Sequence, residues 1–379
     1  MNIGLITFHG SHNYGSVLQA YATQKLLEEK GDHCEIINFR MKSQLDYYSL
    51  YTAKYGLLTL GQEILMLPEH RERKRRSDKF EHFITKRFSL SGRALHTYED
   101  LKEVSSKYDL YVTGSDQIWS DGIPELVHSD KDYTGAYFLD FVDKKKPRFA
   151  FSSSIGEIPY ERLLKKKERL DRFDAISTRE QYGVDVLERI TKKDVTLVLD
   201  PTLVYPSEKW RKLEKNDLTP KGKYIFLYTL HGYKNGRKWR EGLSKLAERL
   251  KMPVVCVSPF FPIHGKNITT ISDAGPEEFL SLIDHAELVF TDSFHGTAFS
   301  VNFNKQFYSL TGTASKDNRK VGLLRELGLE QRCLSSYDDI AKIQDYSLDY
   351  TTPNMRLEER RNGSREFLFS ELDKVRDLI

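Results

Sequence analysis

Residues 287–300, ELVFTDSFHGTAFS, decide how the chain folds. A short apolar run, Leu288-Val289-Phe290, leads into polar Thr291, Asp292 and Ser293. His295 and Gly296 follow, and the pattern continues as a helix through Phe299 and Val301. Strand, tight turn and helix in succession is how an α/β protein presents ligand-binding groups at the carboxyl end of a strand. Ser293 is suited to cap the new helix, which puts His295 in its first turn, among backbone N–H groups with no partner in the helix. Two readings stand on this stretch alone: His295 serves a site, or it only caps and packs.

Working outward, the same alternation surrounds it. Upstream come strand Tyr224 to Thr229, helix Asn235 to Leu250, strands Val254 to Val257 and Ile268 to Ile271, and helix Pro276 to Asp284; strand Gln306 to Leu310 lies downstream. The first half repeats the pattern. A buried opening strand, Asn2 to Phe8, is followed by a helix from Ser16 to Lys30 and a strand from Cys34 to Phe39. Further strands are expected at Tyr108 to Thr113, Arg148 to Ser152, Asp174 to Ser177 and Val195 to Leu199, with a basic helix from Glu161 to Arg172. A length of 379 residues exceeds one ordinary core, and two successive α/β sets imply two doubly wound domains facing across a cleft. The expected division is 1–205 and 206–352, with a polar connection near Trp210 to Lys221 and a closing helix at 353–379 that packs back on the body.

Several strand ends in the first half carry polar groups. His9 to Gly15 (HGSHNYG) opens a helix N-terminus suited to an anion or a sugar, with Asn13, Tyr14, Ser16 and Gln19 nearby. Gly10 and Gly15 have the wrong spacing for the dinucleotide fingerprint. Gly114-Ser115-Asp116-Gln117-Ile118-Trp119 supplies a flexible backbone, groups that can hold hydroxyls, and an indole face for a sugar ring; the plainer reading makes Trp119 a core anchor. Ser152-Ser153-Ser154 either approaches a ligand or forms a tight, locally capped loop. Arg179, where the chain turns into a helix, could clamp a carboxylate or phosphate bidentately, although a lone arginine is more often in a surface ion pair.

Composition narrows the partners. With 58 basic and 55 acidic residues the net charge is +3, which argues against a nucleic-acid coat. Three isolated cysteines, Cys34, Cys256 and Cys333, lack metal-ligand spacing and fit a reducing cytoplasm. No signal segment and no apolar run of about 18 residues is found, so neither secretion nor membrane spanning is expected. Within an insertion at 45–90, Arg71 to Phe80 reads RERKRRSDKF. It is either a solvated helix or a surface in peripheral contact with anionic lipid at the inner membrane face.

Taken in order, NYGSVLQAYA (13–22), VTGSDQIW (112–119), FSSSIG (151–156), STRE (177–180), LDP (199–201) and TDSFHGTAFS (291–300) resemble the polysaccharide pyruvyl transferase family. The resemblance implies a GT-B-like pair of Rossmann-like domains and phosphoenolpyruvate as co-substrate, with no cofactor. The implied reaction moves the pyruvyl group onto sugar hydroxyls, as a cyclic ketal, of a lipid-linked precursor of a cell-surface or capsular polysaccharide. It makes His295 the essential histidine and Arg179 an anion-binding arginine, with Ser293, Phe294 and Gly296 on the donor side. Some members carry arginine where this chain has Ser293; Arg319, in SKDNRK, is assigned as its replacement from chemistry rather than from a motif. Ketal formation needs a proton-transfer group, cationic or backbone donors for phosphate and carboxylate, and groups that orient hydroxyls. His295 fits the first, with Asp116 as an assisting base. Asn13, Tyr14, Gln19, Gly114, Ser115, Gln117, Trp119 and Ser153 form the expected acceptor side, and no metal is required. The competing readings are a nucleotide-sugar glycosyltransferase on the same scaffold and a non-catalytic glycan-binding or assembly protein.

Overall fold

Short strands rich in Val, Ile, Leu and Phe with no polar face are the mark of parallel sheets covered by helices on both sides. The computed structural model describes residues 1–50, 66–120, 122–123, 134–259, 261–311 and 318–379. Among them, β1 (Asn2–Ile6), β2 (His33–Ile36), β3 (Leu110–Thr113), β4 (Arg148–Ala150), β5 (Ala175–Thr178) and β6 (Val195–Leu197) form one sheet, in the order β2-β1-β3-β4-β5-β6. A second sheet holds β7 (Ile225–Tyr228), β8 (Val254–Val257), β9 (Ile268–Thr270), β10 (Leu288–Thr291), β11 (Gln306–Leu310) and β12 (Cys333–Leu334), in the order β12-β11-β10-β7-β8-β9. Every neighbouring pair is parallel. The architecture is two doubly wound, Rossmann-like layers in a GT-B-like pair.

In each sheet the order of winding reverses once, between β1 and β3 and between β7 and β10. Open α/β sheets bind ligands at the carboxyl ends of the strands flanking such a reversal. The segments leaving these four strands are residues 7–13, Gly114 to Trp119, Thr229 to His231 and Asp292 to His295. Three of the four include the stretches singled out in the sequence.

The halves share one core. The Tyr14–Leu27 helix is buried on nearly every side, and only Lys25 escapes. Tyr14 stacks on Phe279 with ring centroids 4.5 Å apart and donates its hydroxyl to the Ala274 carbonyl at 2.7 Å. Tyr21, Trp210 and Phe299 continue the contact. The Thr351–Arg376 helix buries Leu357, Leu368, Leu372 and Val375 and returns to the first half, where Arg376 pairs with Asp32 and Lys30 with Asp373.

Some elements depart from expectation. The segment Glu161 to Arg172 is two short helices, Tyr160–Leu164 and Lys167–Leu170, in place of one continuous helix. The basic run lies in the His70–Arg87 helix, whose Phe80, Phe83 and Ile84 enter the core. Part of its charge is directed at the second half: Arg75 pairs with Asp273 at 3.1 Å, Lys79 with Glu278 at 3.0 Å and Arg87 with Glu277 at 2.6 Å. Arg75 and Lys79 of the basic run, with Arg87 beyond it, thus bridge protein to protein. Residues 51–65 of the 45–90 insertion and the start of SKDNRK lie outside the described residues. Among the described residues, no helix is long and apolar enough to cross a membrane.

Candidate active site

Ser293 caps the Phe294–Asn302 helix, its Oγ accepting from the Gly296 N–H at 3.4 Å, while its own N–H donates to Thr291 Oγ1 at 3.0 Å. Gly296 is required by packing, since a Cβ there would overlap Thr291 Oγ1 and press on Tyr228 at 2.9 Å. Asp292 folds the preceding turn onto β7. It accepts from Thr229 Oγ1 at 2.7 Å and from the Leu230 N–H at 2.8 Å. Burial pushes this carboxyl up, but bonds from His231, Thr229 and Leu230 outweigh it and hold it below its ordinary value.

The turn delivers His295 to the other half. Its Nδ1 lies directly over Gly15, where any Cβ would overlap the imidazole. Its Nε2 is 3.6 Å from Asp200 Oδ2, beyond hydrogen-bond contact, and has no hydrogen-bond partner. Asp200 is fully buried and heavily served. Arg179 Nη1 is paired to it, Ser115 Oγ donates at 2.9 Å, and the Thr202 N–H and hydroxyl donate at 2.9 and 2.6 Å. Burial alone would raise the Asp200 carboxyl; Arg179, His295 and Thr202 overcome it and hold the group well below the usual carboxylate range.

Arg179 is the hub. Nη1 also donates to Ser115 Oγ at 3.2 Å, Nη2 faces Asp116 at 3.6 Å, and Nε faces Glu180 at 3.9 Å. The guanidinium lies over Phe294 of the second half, 4.5 Å from the ring centroid. One terminal nitrogen is therefore committed to Asp200 and Ser115. Nε and Nη2, which face Glu180 and Asp116 beyond hydrogen-bond distance, are what it has left.

Asp116 takes a left-handed backbone with φ 79°, rare for a residue with a side chain and a frequent sign of a site. Its neighbours enforce it: Ser16 Oγ donates to Oδ2 at 2.5 Å, the Gln117 N–H to Oδ1 at 2.8 Å, and the Ser154 N–H to its carbonyl at 3.0 Å. Gln117 reaches over Gly156, and Asn13 caps the Tyr14–Leu27 helix through the Gly15 N–H at 3.0 Å. Glu180 binds Ser154 Oγ at 2.8 Å and the Ile155 N–H at 2.9 Å through Oε1, leaving Oε2 buried and unpartnered. Arg319, from the second half, acts electrostatically on Glu180.

Other expected acceptor residues lie elsewhere. Trp119 is 1 % exposed, stacks on Phe138 and donates its indole N–H to the Tyr137 carbonyl at 3.0 Å, so it anchors the core and offers no face to a sugar. Gln19 is sealed beneath β1, donating to Thr7 Oγ1 and the Ser16 carbonyl, both at 2.9 Å. Ser153 donates to the Gly114 carbonyl at 3.0 Å, Gly114 itself packs against Thr7 and Leu5, and Tyr14 belongs to the seam between the halves. Most of their polar groups are spent inside the protein, although Gln19 Oε1 has no hydrogen-bond partner.

Asp200 and Glu180 were not assigned from sequence, and Ser16 was noted only as a polar group near a helix N-terminus. The first two lie inside LDP and STRE, and the available signal was an acid at a strand end next to a helix start. Among the described residues, one group has metal-ligand proximity: Glu214, Asp284 and His285, at the end of the Pro276–Asp284 helix. Arg211 already grips Asp284 with Nε and Nη2, at 2.7 and 3.0 Å.

Four buried polar atoms here lack a hydrogen-bond partner: Thr178 Oγ1, Arg179 Nε, Glu180 Oε2 and His295 Nε2. Buried polar groups are nearly always satisfied, and clustered exceptions call for a bound water, ion or ligand or a catalytic role. The arrangement offers an imidazole, two carboxyls shifted in opposite directions, an arginine N–H and two helix N-termini, a set suited to proton transfer on an anionic substrate.

Comparison with solved structures gives the fold. UDP-GlcNAc 2-epimerase from Methanocaldococcus jannaschii, solved with UDP-GlcNAc and UDP, is similar at TM-score 0.54 and 15% identity, covering 99% of this chain and 100% of that one. UDP-N-acetylglucosamine 2-epimerase from Rickettsia bellii is similar at TM-score 0.56 and 12% identity, covering 100% and 98%. No curated protein matches the chain by sequence. The family comparison is decisive where these are not: residues 13–312, which include every residue of the His295–Asp200–Arg179 cluster, match polysaccharide pyruvyl transferase, and the chain belongs to that transferase family.

Proposed function

We propose that the protein transfers the pyruvyl group of phosphoenolpyruvate to sugar hydroxyls of a lipid-linked saccharide, forming a ketal and releasing phosphate. The observation that carries this reading is the seating of His295 on Gly15, beside the Asp200–Arg179 pair, where strand ends of both sheets meet. The reaction begins with protonation of the donor methylene, which makes the adjacent carbon electrophilic. His295, with an unpartnered Nε2 facing a buried carboxylate, is the group placed to deliver that proton. The donor's negative charge is met by the N-termini of the Tyr14–Leu27 and Phe294–Asn302 helices, by Arg319 and by Arg179 Nη2. Asp116, bonded to Ser16 and Gln117, holds the loop that lines the acceptor side.

The test is phosphate release from phosphoenolpyruvate in the presence of lipid-linked saccharides. Release that depends on acceptor and is abolished by His295→Ala is expected. Binding of nucleotide sugars with no release from phosphoenolpyruvate would instead assign a glycosyltransferase. Saccharide binding that survives His295→Ala, with no release by the wild type, would assign a glycan-binding protein.

A further inference from the structure

Glu180 is a buried acid that the proposed reaction has not yet used. Its side chain is 3 % exposed, and Oε1 is fixed by Ser154 Oγ and the Ile155 N–H. Oε2 is left without a donor and faces Arg179 Nε, itself a donor without an acceptor, across 3.9 Å. That gap is too long for a hydrogen bond and matches the span across one oxygen making two bonds of about 2.8 Å at roughly a right angle. A hydroxyl fits the chemistry of both ends, since its oxygen accepts from Nε–H while its proton points to Oε2. Phe294 and Arg319, both from the second half, contribute here, the first over the guanidinium and the second through its charge on Glu180. The pair therefore lies at the seam where the two halves meet.

We propose that Arg179 Nε and Glu180 Oε2 seat the attacking hydroxyl of the acceptor sugar, with Glu180 taking its proton. This rests on the pyruvyl-transfer reading above. The hydroxyl oxygen bonds to the former vinyl carbon of phosphoenolpyruvate as its methylene gains a proton from His295, and the hydroxyl proton passes to Glu180. One proton is supplied and one accepted, which leaves a tetrahedral adduct with phosphate still attached. Burial raises the Glu180 carboxyl above its ordinary value even though Arg179 and Arg319 act in the opposite sense. A carboxylate with a raised affinity for protons is the better base toward a hydroxyl. Asp200, also paired to Arg179, is held in the opposite direction, so the two carboxyls flanking one arginine are suited to different tasks.

The experiment compares wild type with Glu180→Gln in three readouts: phosphoenolpyruvate affinity, incorporation of solvent deuterium into its methylene group, and acceptor-dependent phosphate release. Expected are affinity within a few-fold of wild type, retained deuterium incorporation, and phosphate release lower by about 100-fold or more. Release within threefold of wild type overturns the assignment, and so does loss of affinity in parallel with release, which marks a purely structural role. If the wild type itself releases no phosphate from phosphoenolpyruvate, the pyruvyl-transfer reading fails and this assignment with it. Should Glu180→Gln not fold, Ser154→Ala removes one anchor of Oε1 while keeping the carboxylate. A fall of about tenfold in kcat with donor affinity unchanged is then expected, and an unchanged kcat overturns the proposal.

Discussion

His295 sits on Gly15 so closely that no side chain can be added to Gly15 without moving the imidazole. The two residues come from different halves, one at the start of the Tyr14–Leu27 helix and the other in the first turn of the Phe294–Asn302 helix. Gly15→Ala is therefore expected to act on the reaction more than on the fold. The added methyl pushes the ring off its position, and displacements of about 1 Å can cost on the order of 100-fold in rate. The overpacking itself costs about 1–3 kcal/mol. Steady-state phosphate release alongside thermal melting separates the two; a variant with full activity would mean the imidazole position is unimportant.

Asp200 gives a prediction with a pH sign. Its folded carboxyl is held below its unfolded value, so the stability it contributes is present above pH of about 4 and is lost as pH falls through the folded value. Asp200→Asn leaves Arg179 buried without its main counter-ion, a loss of about 3–5 kcal/mol at pH 7. Urea midpoints at pH 7 and in the acid limb measure both: the variant should begin lower and show less of the acid-side decline. Equal midpoints at pH 7 would remove Asp200 from the centre of the network.

How much of this was legible in the sequence differs by residue. The alternation around ELVFTDSFHGTAFS gave both sheets, because parallel strands and their helices are encoded locally by apolar runs and turn residues. His295 and Asp116 were found because they follow strands that flank the winding reversals of the two sheets, and Arg179 because it stands at the end of β5 where a helix starts. Trp119 was misjudged, since whether an indole faces Phe138 or a cleft depends on the packing of residues 137–138, a contact no local pattern specifies. The partner of Arg179 could not be read for a related reason. Its partner Asp200 is 21 positions away, and that pairing, not the arginine alone, decides what the guanidinium has to offer.

The basic helix makes a claim about the seam. Arg87 and Glu277 join the halves at 2.6 Å, and Lys215 shares the same carboxylate. Arg87 is 40 % exposed on its side chain, so screening by water limits the pair to about 0.2–1 kcal/mol. A double-mutant cycle of Arg87→Ala and Glu277→Ala in low salt should return a coupling in that range, falling toward zero near 1 M NaCl. A coupling near zero in both would show that the helix is held by Phe80, Phe83 and Ile84 alone.

Glu214 supplies a prediction away from the candidate site. Burial and the facing Asp284 carboxylate push its carboxyl up to about 7, against the pull of Arg211 and Lys305. A raised folded pKa favours the folded state below the unfolded value of about 4.3, and that advantage is lost as pH rises to about 7. Glu214→Gln imitates the protonated form at every pH. The variant should therefore melt close to wild type at pH 5 and above it at pH 8, because only the wild type must then hold two carboxylates together. Melting curves across this range decide the matter: parallel curves for the two proteins would mean that Glu214 and Asp284 do not compete for charge, and a wild type more stable at pH 8 would reverse the sign argued here.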